Sequence, residues 1–295
     1  MTRRGWLLFA SLCVIWGIPY LLIRVAVREL SPATLVFGRT SIAALLLLPI
    51  AASRGELRPL LARWRPLLAF AAIEIALPWL LLGSAERRLT SSLTGLLLAA
   101  VPLIGAVVAG ASGDDDRIGG RRLAGLLLGL GGVSALVGLD LGGMSVLPLA
   151  EVGMTAVCYA VGPIVLSRWL SHLPRLGVIA ASLTLCALAY APVAAFQLPS
   201  SLPAGRVLAS VVTLAVVCTA IAFIVFFALI AAVGPARATV ITYVNPAIAA
   251  LLGVTVLSEP FTAGMGLGFA LVLAGSFLAT APNAAPARAP AAAEP

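Results

Sequence analysis

The chain has 295 residues, of which 61% are hydrophobic and only 10% are charged, and its mean hydropathy is +1.11. A soluble domain must cover its outside with polar side chains, so this composition excludes that class. The net charge of +8 comes from arginines that form no aromatic-interleaved basic patch, which predicts membrane topology and no nucleic-acid partner. The predicted fold class is an all-α polytopic membrane protein.

Apolar runs of about 20 residues, the length that crosses a bilayer, recur along the whole chain. They predict about ten transmembrane helices joined by short connections, and a disordered Ala/Pro-rich tail at 282–295. In chain order the predicted helices cover 5–25, 33–52, 66–85, 91–111, 121–140, 146–168, 176–196, 206–231, 237–257 and 262–281.

The arginines predict the orientation of these helices. If the chain has ten helices and its amino terminus lies on the cytoplasmic side, thirteen of the nineteen arginines lie on that side of the membrane. Four lie on the outer side, and two lie within helices. This distribution follows the positive-inside rule, so both termini are predicted to face the cytoplasm. The four outer arginines are Arg28, Arg87, Arg88 and Arg206.

The second half of the chain repeats features of the first. Pro102 and Pro246 occupy matching places in the fourth and ninth predicted helices, and the glycines of the fifth and tenth helices match at nearly the same offset. Residues 1–140 and 141–281 therefore form two predicted repeats of five helices. Because five is odd, the second repeat must be inserted upside down, an arrangement found in membrane transporters.

Several stretches carry a resemblance to a known family. They are Trp16-Gly17, the SPATLVFGR segment with Arg39, the SAERRLTSSLTGLLLAAVPL segment, and VGPARATVITYVNPAIAALLG followed by Glu259. Together they resemble the drug/metabolite transporter superfamily, EamA type, over residues 5–281. Two places depart from the pattern: GDDDRIGG replaces a single glutamate, and Tyr159-Ala160 stands where the first repeat has Trp-Gly.

The resemblance implies a ten-helix protein built of two inverted five-helix repeats, and a secondary transporter rather than an enzyme. Its implied activity is export of a small metabolite, such as an amino acid, amine, nucleoside or drug-like compound, across the bacterial inner membrane. The implied mechanism is alternating access, with protons as the candidate coupling ion. The implied partners are that small-molecule substrate and the lipid bilayer, with the protein as a monomer or weak homodimer.

Glu74 is the most informative polar residue, because it lies near the middle of the third predicted helix. A charged side chain there costs at least about 2.5–3.5 kcal/mol on insertion scales, so it normally faces a cavity or a partner. One hypothesis is a substrate-binding carboxylate that also accepts the coupling proton. The other is a structural partner of Arg39 or Arg24, two residues that are themselves candidates for coupling or gating.

Pro78 and Trp79 follow Glu74 by one turn and predict a bent helix with an aromatic residue beside the carboxylate. Such a pair suits an amine-bearing or flat substrate through cation–π contact. The alternative is a packing kink with a tryptophan that faces lipid.

The WGIPYLLIR stretch of the first helix places Trp16, Tyr20 and Arg24 four residues apart on one stripe, with Pro19 as a bend. In the second repeat, Tyr159 and Pro163 lie at the mirrored depth. We predict that Trp16, Tyr20 and Tyr159 line a central cavity and that Arg24 is an outer anchor or gate.

The ninth helix carries Tyr243 and Asn245 just before Pro246, and Pro102 matches that proline in the fourth helix. Proline frees a carbonyl one turn earlier, and polar side chains at this depth suit a polar substrate. We therefore predict that Tyr243 and Asn245 line the cavity, the alternative being interhelical hydrogen bonding.

Other residues are assigned structural roles. Glu86, beside two arginines at the outer end of the third helix, is predicted to be a solvated interface charge. The small-residue spacing of Gly125 and Gly132, and of Gly268 and Gly275, predicts close helix packing.

Signals of enzymatic chemistry are absent from the sequence. The single histidine, His172, lies in a predicted loop, and no nucleotide, metal or hydrolase motif is present. We predict no catalytic residue, no cofactor and no metal site. Two alternatives to a metabolite transporter stay open: a lipid-carrier flippase, which requires a groove open to lipid, and an integral-membrane enzyme, which requires polar catalytic groups near one interface.

Overall fold

The computed structural model describes residues 2–111, 120–138, 146–234, 238 and 240–280. Within these ranges the chain forms long helices and no β-strand. We label the membrane helices as α1 Arg3–Ala26, α2 Pro32–Ser53, α3 Arg58–Ala85, α4 Ser91–Val108, α5 Gly120–Val137, α6 Val146–Leu170, α7 Arg175–Phe196, α8 Gly205–Val233, α9 Ile241–Leu257 and α10 Ala263–Thr280. The tail predicted to be disordered, 282–295, and the GDDDRIGG segment lie outside the described residues, apart from the terminal glycine of the latter.

Nine of these helices are long and apolar enough to cross a bilayer, and α9 falls just short at 17 residues. Each predicted helix therefore has a counterpart in the described chain. The largest difference is at α3, which begins at Arg58 because a 3₁₀ turn, Arg58–Arg63, precedes its α-helical part. The all-α polytopic fold class is confirmed.

The packing of the helices follows a two-fold pattern. Helix α2 packs against α7, α4 against α9, and α5 against α10, so each of these helices packs against its counterpart in the other repeat. The contact of α3 with α6 has its mirror in the contact of α8 with α1. Exchanging the two repeats leaves this pattern unchanged, as expected of inverted repeats.

Glycines bring α5 and α10 together backbone to backbone. A β-carbon at Gly132 would lie 2.6 Å from the nitrogen of Val272 and 2.7 Å from the carbonyl oxygen of Gly268. A β-carbon at Gly125 would lie 2.7 Å from the carbonyl oxygen of Gly275. The predicted close packing of these glycines is confirmed, and it needs no ligand.

Two π-helical segments bend the bundle at matching places. They are Ala71–Ala76 in α3 and Val216–Ile221 in α8, six residues each. Their offset of 145 residues is close to the repeat offset read from the prolines. π-Helical turns are frequent at functional sites because they aim side chains away from the regular helical pattern. Glu74 lies on the first segment and Thr219 on the second.

Candidate functional site

Six polar or aromatic side chains gather where the two repeats meet. We call this set the central cluster, and its members come from α1, α2, α3, α6 and α8. They are Tyr20, Arg39, Glu74, Trp79, Tyr159 and Thr219.

Glu74 packs against α6 at Gly162, where a β-carbon would overlap its Oε2 atom. Neither carboxylate oxygen of Glu74 has a hydrogen-bond partner. Oε2 is sealed from solvent, whereas Oε1 keeps some solvent-accessible surface. In the described part of the chain, Glu74 forms no salt bridge with Arg39 or Arg24. A carboxylate left without partners in a membrane protein is suited to binding a proton or a cationic group.

Side chains of α7 stabilise the bent segment that carries Glu74. Tyr190 donates its hydroxyl proton to the carbonyl oxygen of Ala76 at 3.0 Å. The Cys186 thiol lies 3.5 Å from the carbonyl oxygen of Ala71. These contacts give the carbonyl groups at the two ends of the π-helical segment, Ala71 and Ala76, a partner from α7. The bend is therefore held by specific contacts.

Arg39 is buried between α3 and α8. Its Nε donates to the hydroxyl of Thr219 at 2.9 Å, and Thr219 in turn donates to the carbonyl oxygen of Leu214 at 2.8 Å. The guanidinium carbon lies 3.6 Å from the centre of the Trp79 ring, a cation–π contact. The bond to Thr219 and the stack on Trp79 link the π-helical segment of α8 to the part of α3 that follows its own π-helical segment.

Two tyrosines complete the cluster. Tyr159 lies beside the Trp79 side chain and close to Tyr20, Glu74 and Arg39. Tyr20 packs against α4 at Gly95, where a β-carbon would lie 3.6 Å from its ring, an ordinary contact distance. The cluster therefore contains aromatic faces, one buried cation and one unpaired carboxylate.

Trp16 lies in an aromatic group with α8. Its ring centre is 4.9 Å from that of Phe226 and 6.0 Å from that of Phe223. Arg24, two turns further along the same helix as Trp16, donates to the backbone carbonyl oxygen of Glu86. Trp16 and Arg24 thus lie on either side of Tyr20 along α1, and their roles in lining and gating stay predictions.

Asn245 and Tyr243 contact other helices. With its amide oriented to suit its neighbours, Asn245 donates to the carbonyl oxygens of Ile241 at 3.0 Å and Cys13 at 3.2 Å, so it joins α9 to α1. The Tyr243 hydroxyl lies 3.3 Å from that of Thr280 at the end of α10. The structure does not bring these two residues into the central cluster.

The five predicted helix-bending prolines differ in their surroundings. Pro19 follows a break in α1 at Ile18, and Pro102 follows a break in α4 after Leu98. Pro246 is buried inside α9, whereas Pro163 is exposed inside α6. Pro78 lies two residues past the end of the π-helical segment of α3 and is buried.

Glu86 is buried, and the prediction of a solvated charge was wrong. The residue is 0% exposed and neither carboxylate oxygen has a hydrogen-bond partner, whereas Arg87 and Arg88 are exposed. The reason is the tight turn after Ala85, which directs Glu86 inward and the two arginines outward. Burial, and next the charge of Glu259, raise the pKa of Glu86 well above its ordinary value despite Arg24.

Glu259, just past the end of α9, caps the start of α4. Its carboxylate accepts hydrogen bonds from the backbone nitrogens of Ser91 and Ser92, at 2.9 and 2.8 Å, and from both serine hydroxyls. A carboxylate is favourable at a helix amino terminus. Burial raises the pKa of Glu259, but the hydrogen bonds from Ser92 and Ser91 outweigh burial and hold it below its ordinary value. We call this contact the Glu259 cap.

A separate apolar cavity of about 420 Å³ lies between α4, α5 and α6. It is partly open to the surface of the bundle, and no member of the central cluster lines it. Its walls are hydrocarbon side chains such as Leu103, Leu126 and Val152. This cavity suits an apolar chain and lacks the polar groups that would recognise a charged metabolite.

Among the described residues, no three His, Cys, Asp or Glu side chains come together as metal ligands do. All four cysteines are free and buried.

The ten labelled helices of the described chain form two repeats. The bent helices and polar groups where these repeats meet define the class of a multi-pass membrane transporter. The family model described as "EamA-like transporter family" matches residues 3–138 and 152–281. The chain belongs to this family, and the predicted membership is confirmed.

Two further similarities agree with this assignment. The chain is 31% identical over 256 residues to "Uncharacterized inner membrane transporter YedA" of Escherichia coli K12, which covers 82% of this chain and 79% of YedA. A solved chain described as "Crystal structure of protein" has a TM-score of 0.66 at 22% identity, with 95% of this chain and 97% of that chain covered. By its description the relative is an inner membrane transporter, which agrees with the family, and the solved chain supports the fold.

Sequence reasoning missed three features of this region. Thr219 looked like an ordinary residue of an apolar helix, and its contact with Arg39 joins residues 180 positions apart. Gly162 carried no signal that it accommodates Glu74. Glu259 was part of the family pattern, but its serine partners were not identified as such. Only Glu259 had a signal in the sequence, as an acidic residue that ends an apolar helix.

Proposed function

We propose that the protein is a secondary transporter that exports a small metabolite across the inner membrane by alternating access. The observation that carries this proposal is Glu74, a carboxylate on a bent helix at the repeat interface with no partner in the described chain. Trp79 and Tyr159 beside it offer aromatic surfaces to a substrate. Since family and relatives are transporters, an enzymatic function is not proposed.

Alternating access requires one half of the bundle to move against the other about a fixed site. The matching π-helical segments of α3 and α8 are suited to this, because each contributes a residue to the central cluster from its own repeat. The Glu259 cap joins α9 of one repeat to α4 of the other at one end of the bundle. We propose that this end is the outer one, that both termini face the cytoplasm, and that the cap closes the outer side.

Proton antiport is the proposed coupling. Glu74 would hold a proton when substrate is absent and release it when a substrate group takes its place. Export then follows from the inward proton gradient of the bacterial membrane.

Transport by purified protein in proteoliposomes tests this function. The substrates are labelled amino acids, nucleosides and amines, each measured with an acidic, neutral or alkaline vesicle interior. Proton antiport predicts that at least one compound accumulates above its level in protein-free vesicles, and most with an acidic interior. Equal fluxes in vesicles with and without protein, for every compound, would contradict the proposal.

A lipid-carrier flippase is the second candidate, and the apolar cavity between α4, α5 and α6 is the observation that favours it. In the same vesicles, translocation of a fluorescent polyprenyl phosphate can be followed by reduction of the outer-leaflet dye. We expect no acceleration over protein-free vesicles. Acceleration by the protein, with no flux of small metabolites, would favour the flippase.

A further inference from the structure

Arg39 is a buried cation without a carboxylate partner. The residue is 7% exposed, and in the described chain its guanidinium forms no salt bridge, in contrast to the exposed pair Arg206–Glu29. An arginine stays charged in proteins, so it cannot escape the cost of burial by losing its proton. Buried charges are normally paired, and Arg39 therefore lacks a counter-charge that its position calls for.

The free part of this guanidinium is its outer edge. Nε is used by Thr219, and one face is covered by Trp79 at 3.6 Å. The two terminal nitrogens make no hydrogen bond with described residues, yet neither is sealed from solvent. The four N–H groups of these two nitrogens are thus left without a partner in the described chain, and the contacts with Thr219 and Trp79 hold the guanidinium in orientation.

The surroundings of that edge are rich in donors and aromatic surface. The groups that interact electrostatically with Arg39 are Cys218, Tyr159 and Tyr20, and none of them is a carboxylate. A planar guanidinium edge matches the two oxygens of a carboxylate, which it binds with two parallel hydrogen bonds. The rings of Trp79 and Tyr159 provide apolar walls for the rest of a ligand.

We propose that Arg39 is the anion-binding residue of the central cluster and that the transported compound carries a carboxylate next to an apolar or aromatic body. This inference rests on the proposed transport function of the cluster. It assigns distinct partners to the two groups: Arg39 takes the carboxylate of the substrate, and Glu74 takes the proton or the substrate group that replaces it.

Matched pairs of compounds test the inference without any mutation. The pairs are phenylalanine and phenylalaninamide, leucine and leucinamide, and benzoate and benzamide, which differ in whether the carbonyl group carries a charge. Binding is measured as thermal stabilisation of the purified protein, and transport as flux into proteoliposomes. We expect at least one carboxylate to bind about 10-fold or more tightly than its amide, because only the carboxylate neutralises the buried cation.

Three variants show whether Arg39 is responsible. Arg39→Gln removes the charge and should abolish the preference for the carboxylate. Arg39→Lys keeps the charge but loses the planar guanidinium, so this variant should retain part of the preference. Arg65→Gln is the control, because Arg65 also stacks on a tryptophan, Trp64, but is exposed near the start of α3. A purely structural Arg39 would change stability in the variants without changing the ratio of carboxylate to amide binding.

The outcomes separate this inference from the proposed function. Amides that bind or move as well as the carboxylates, carboxylates that fail to bind at all, or a preference that survives Arg39→Gln would overturn the inference. If the amides still cross the membrane, the proposed transport function stands even though the inference about Arg39 fails. Carboxylates that bind through Arg39 but do not cross would support the anion site and contradict transport.

Discussion

The carboxylate of Glu74 lies against the backbone of Gly162, with Oε2 in the space that a β-carbon of residue 162 would need. This contact joins α3 of the first repeat to α6 of the second. It fixes the position of the one buried carboxylate in the central cluster, because any larger residue at 162 must displace it.

Gly162→Ala tests this relationship. The atom displaced is the end of a flexible side chain that can shift aside, so we expect a loss of stability near the low end of the about 1–3 kcal/mol that overpacking costs. Transport should be slower, because the carboxylate of Glu74 has moved. The matched control is Gly153→Ala on the same helix, where a β-carbon meets nothing within 4 Å and the expected change is within about 0.5 kcal/mol. Equal effects of the two substitutions would show that Glu74 does not occupy this position.

The contact of α5 with α10 provides a second pair of substitutions. Gly132→Ala places a methyl group 2.6 Å from a backbone nitrogen of α10, whereas Gly131→Ala, one residue away, meets nothing within 4 Å. We expect Gly132→Ala to lower the melting temperature of the purified protein and Gly131→Ala to leave it unchanged or raise it slightly, since alanine is the better helix former. The reverse order of stability would refute backbone-to-backbone packing of these helices.

The Glu259 cap predicts a dependence of stability on pH. The pKa of Glu259 is lowered in the folded protein, so its contribution is present above the unfolded carboxyl pKa of about 4.3 and is lost as the pH falls through the lower, folded value. We expect Glu259→Gln to cost about 1–2 kcal/mol at neutral pH, because hydrogen bonds to a charged acceptor become neutral ones. The difference in melting temperature between wild type and variant should shrink below about pH 5, where Glu259 begins to take up a proton.

Glu29→Gln is the control for the Glu259 cap. Glu29 pairs with Arg206 at 3.6 Å on an exposed surface, where an ion pair contributes little. A pH-independent difference for Glu259→Gln, or an equal loss in Glu29→Gln, would contradict the account of the cap.

The orientation of the protein is tested by single cysteines. Arg206→Cys lies at the start of α8 on the proposed outer side, and His172→Cys lies between α6 and α7 on the proposed inner side; both positions are exposed. The four native cysteines are buried, so background labelling should be low. An impermeant maleimide added to intact cells should label Arg206→Cys and spare His172→Cys until the membrane is opened. Labelling of both in intact cells would exclude the proposed topology.

The fold was more predictable from sequence than the site, for a physical reason. Each membrane helix needs about 20 apolar residues wherever it lies, so its signal is local and strong. The depth of Glu74 was equally visible, since a charge within an apolar run is rare. The contacts of Gly162 with Glu74 and of Arg39 with Thr219 depend on how distant helices meet, which no local pattern encodes.

Glu86 illustrates the same limit. It lies one residue beyond an apolar run, between that run and two arginines, where solvated charges are common. Its direction is set by a turn of three or four residues, and the sequence pattern is the same whether the side chain points inward or outward. The turn buries it, so the prediction from pattern failed at this position.

The central claim is that Glu74 couples transport to protons, and Glu74→Gln tests it most directly in proteoliposomes that contain a transported compound. Glutamine keeps the size of the side chain and cannot exchange a proton at this position. We predict that the variant still exchanges labelled for unlabelled substrate but no longer accumulates it when the vesicle interior is acidic. Accumulation by Glu74→Gln equal to that of wild type, with the same dependence on pH, would contradict the account.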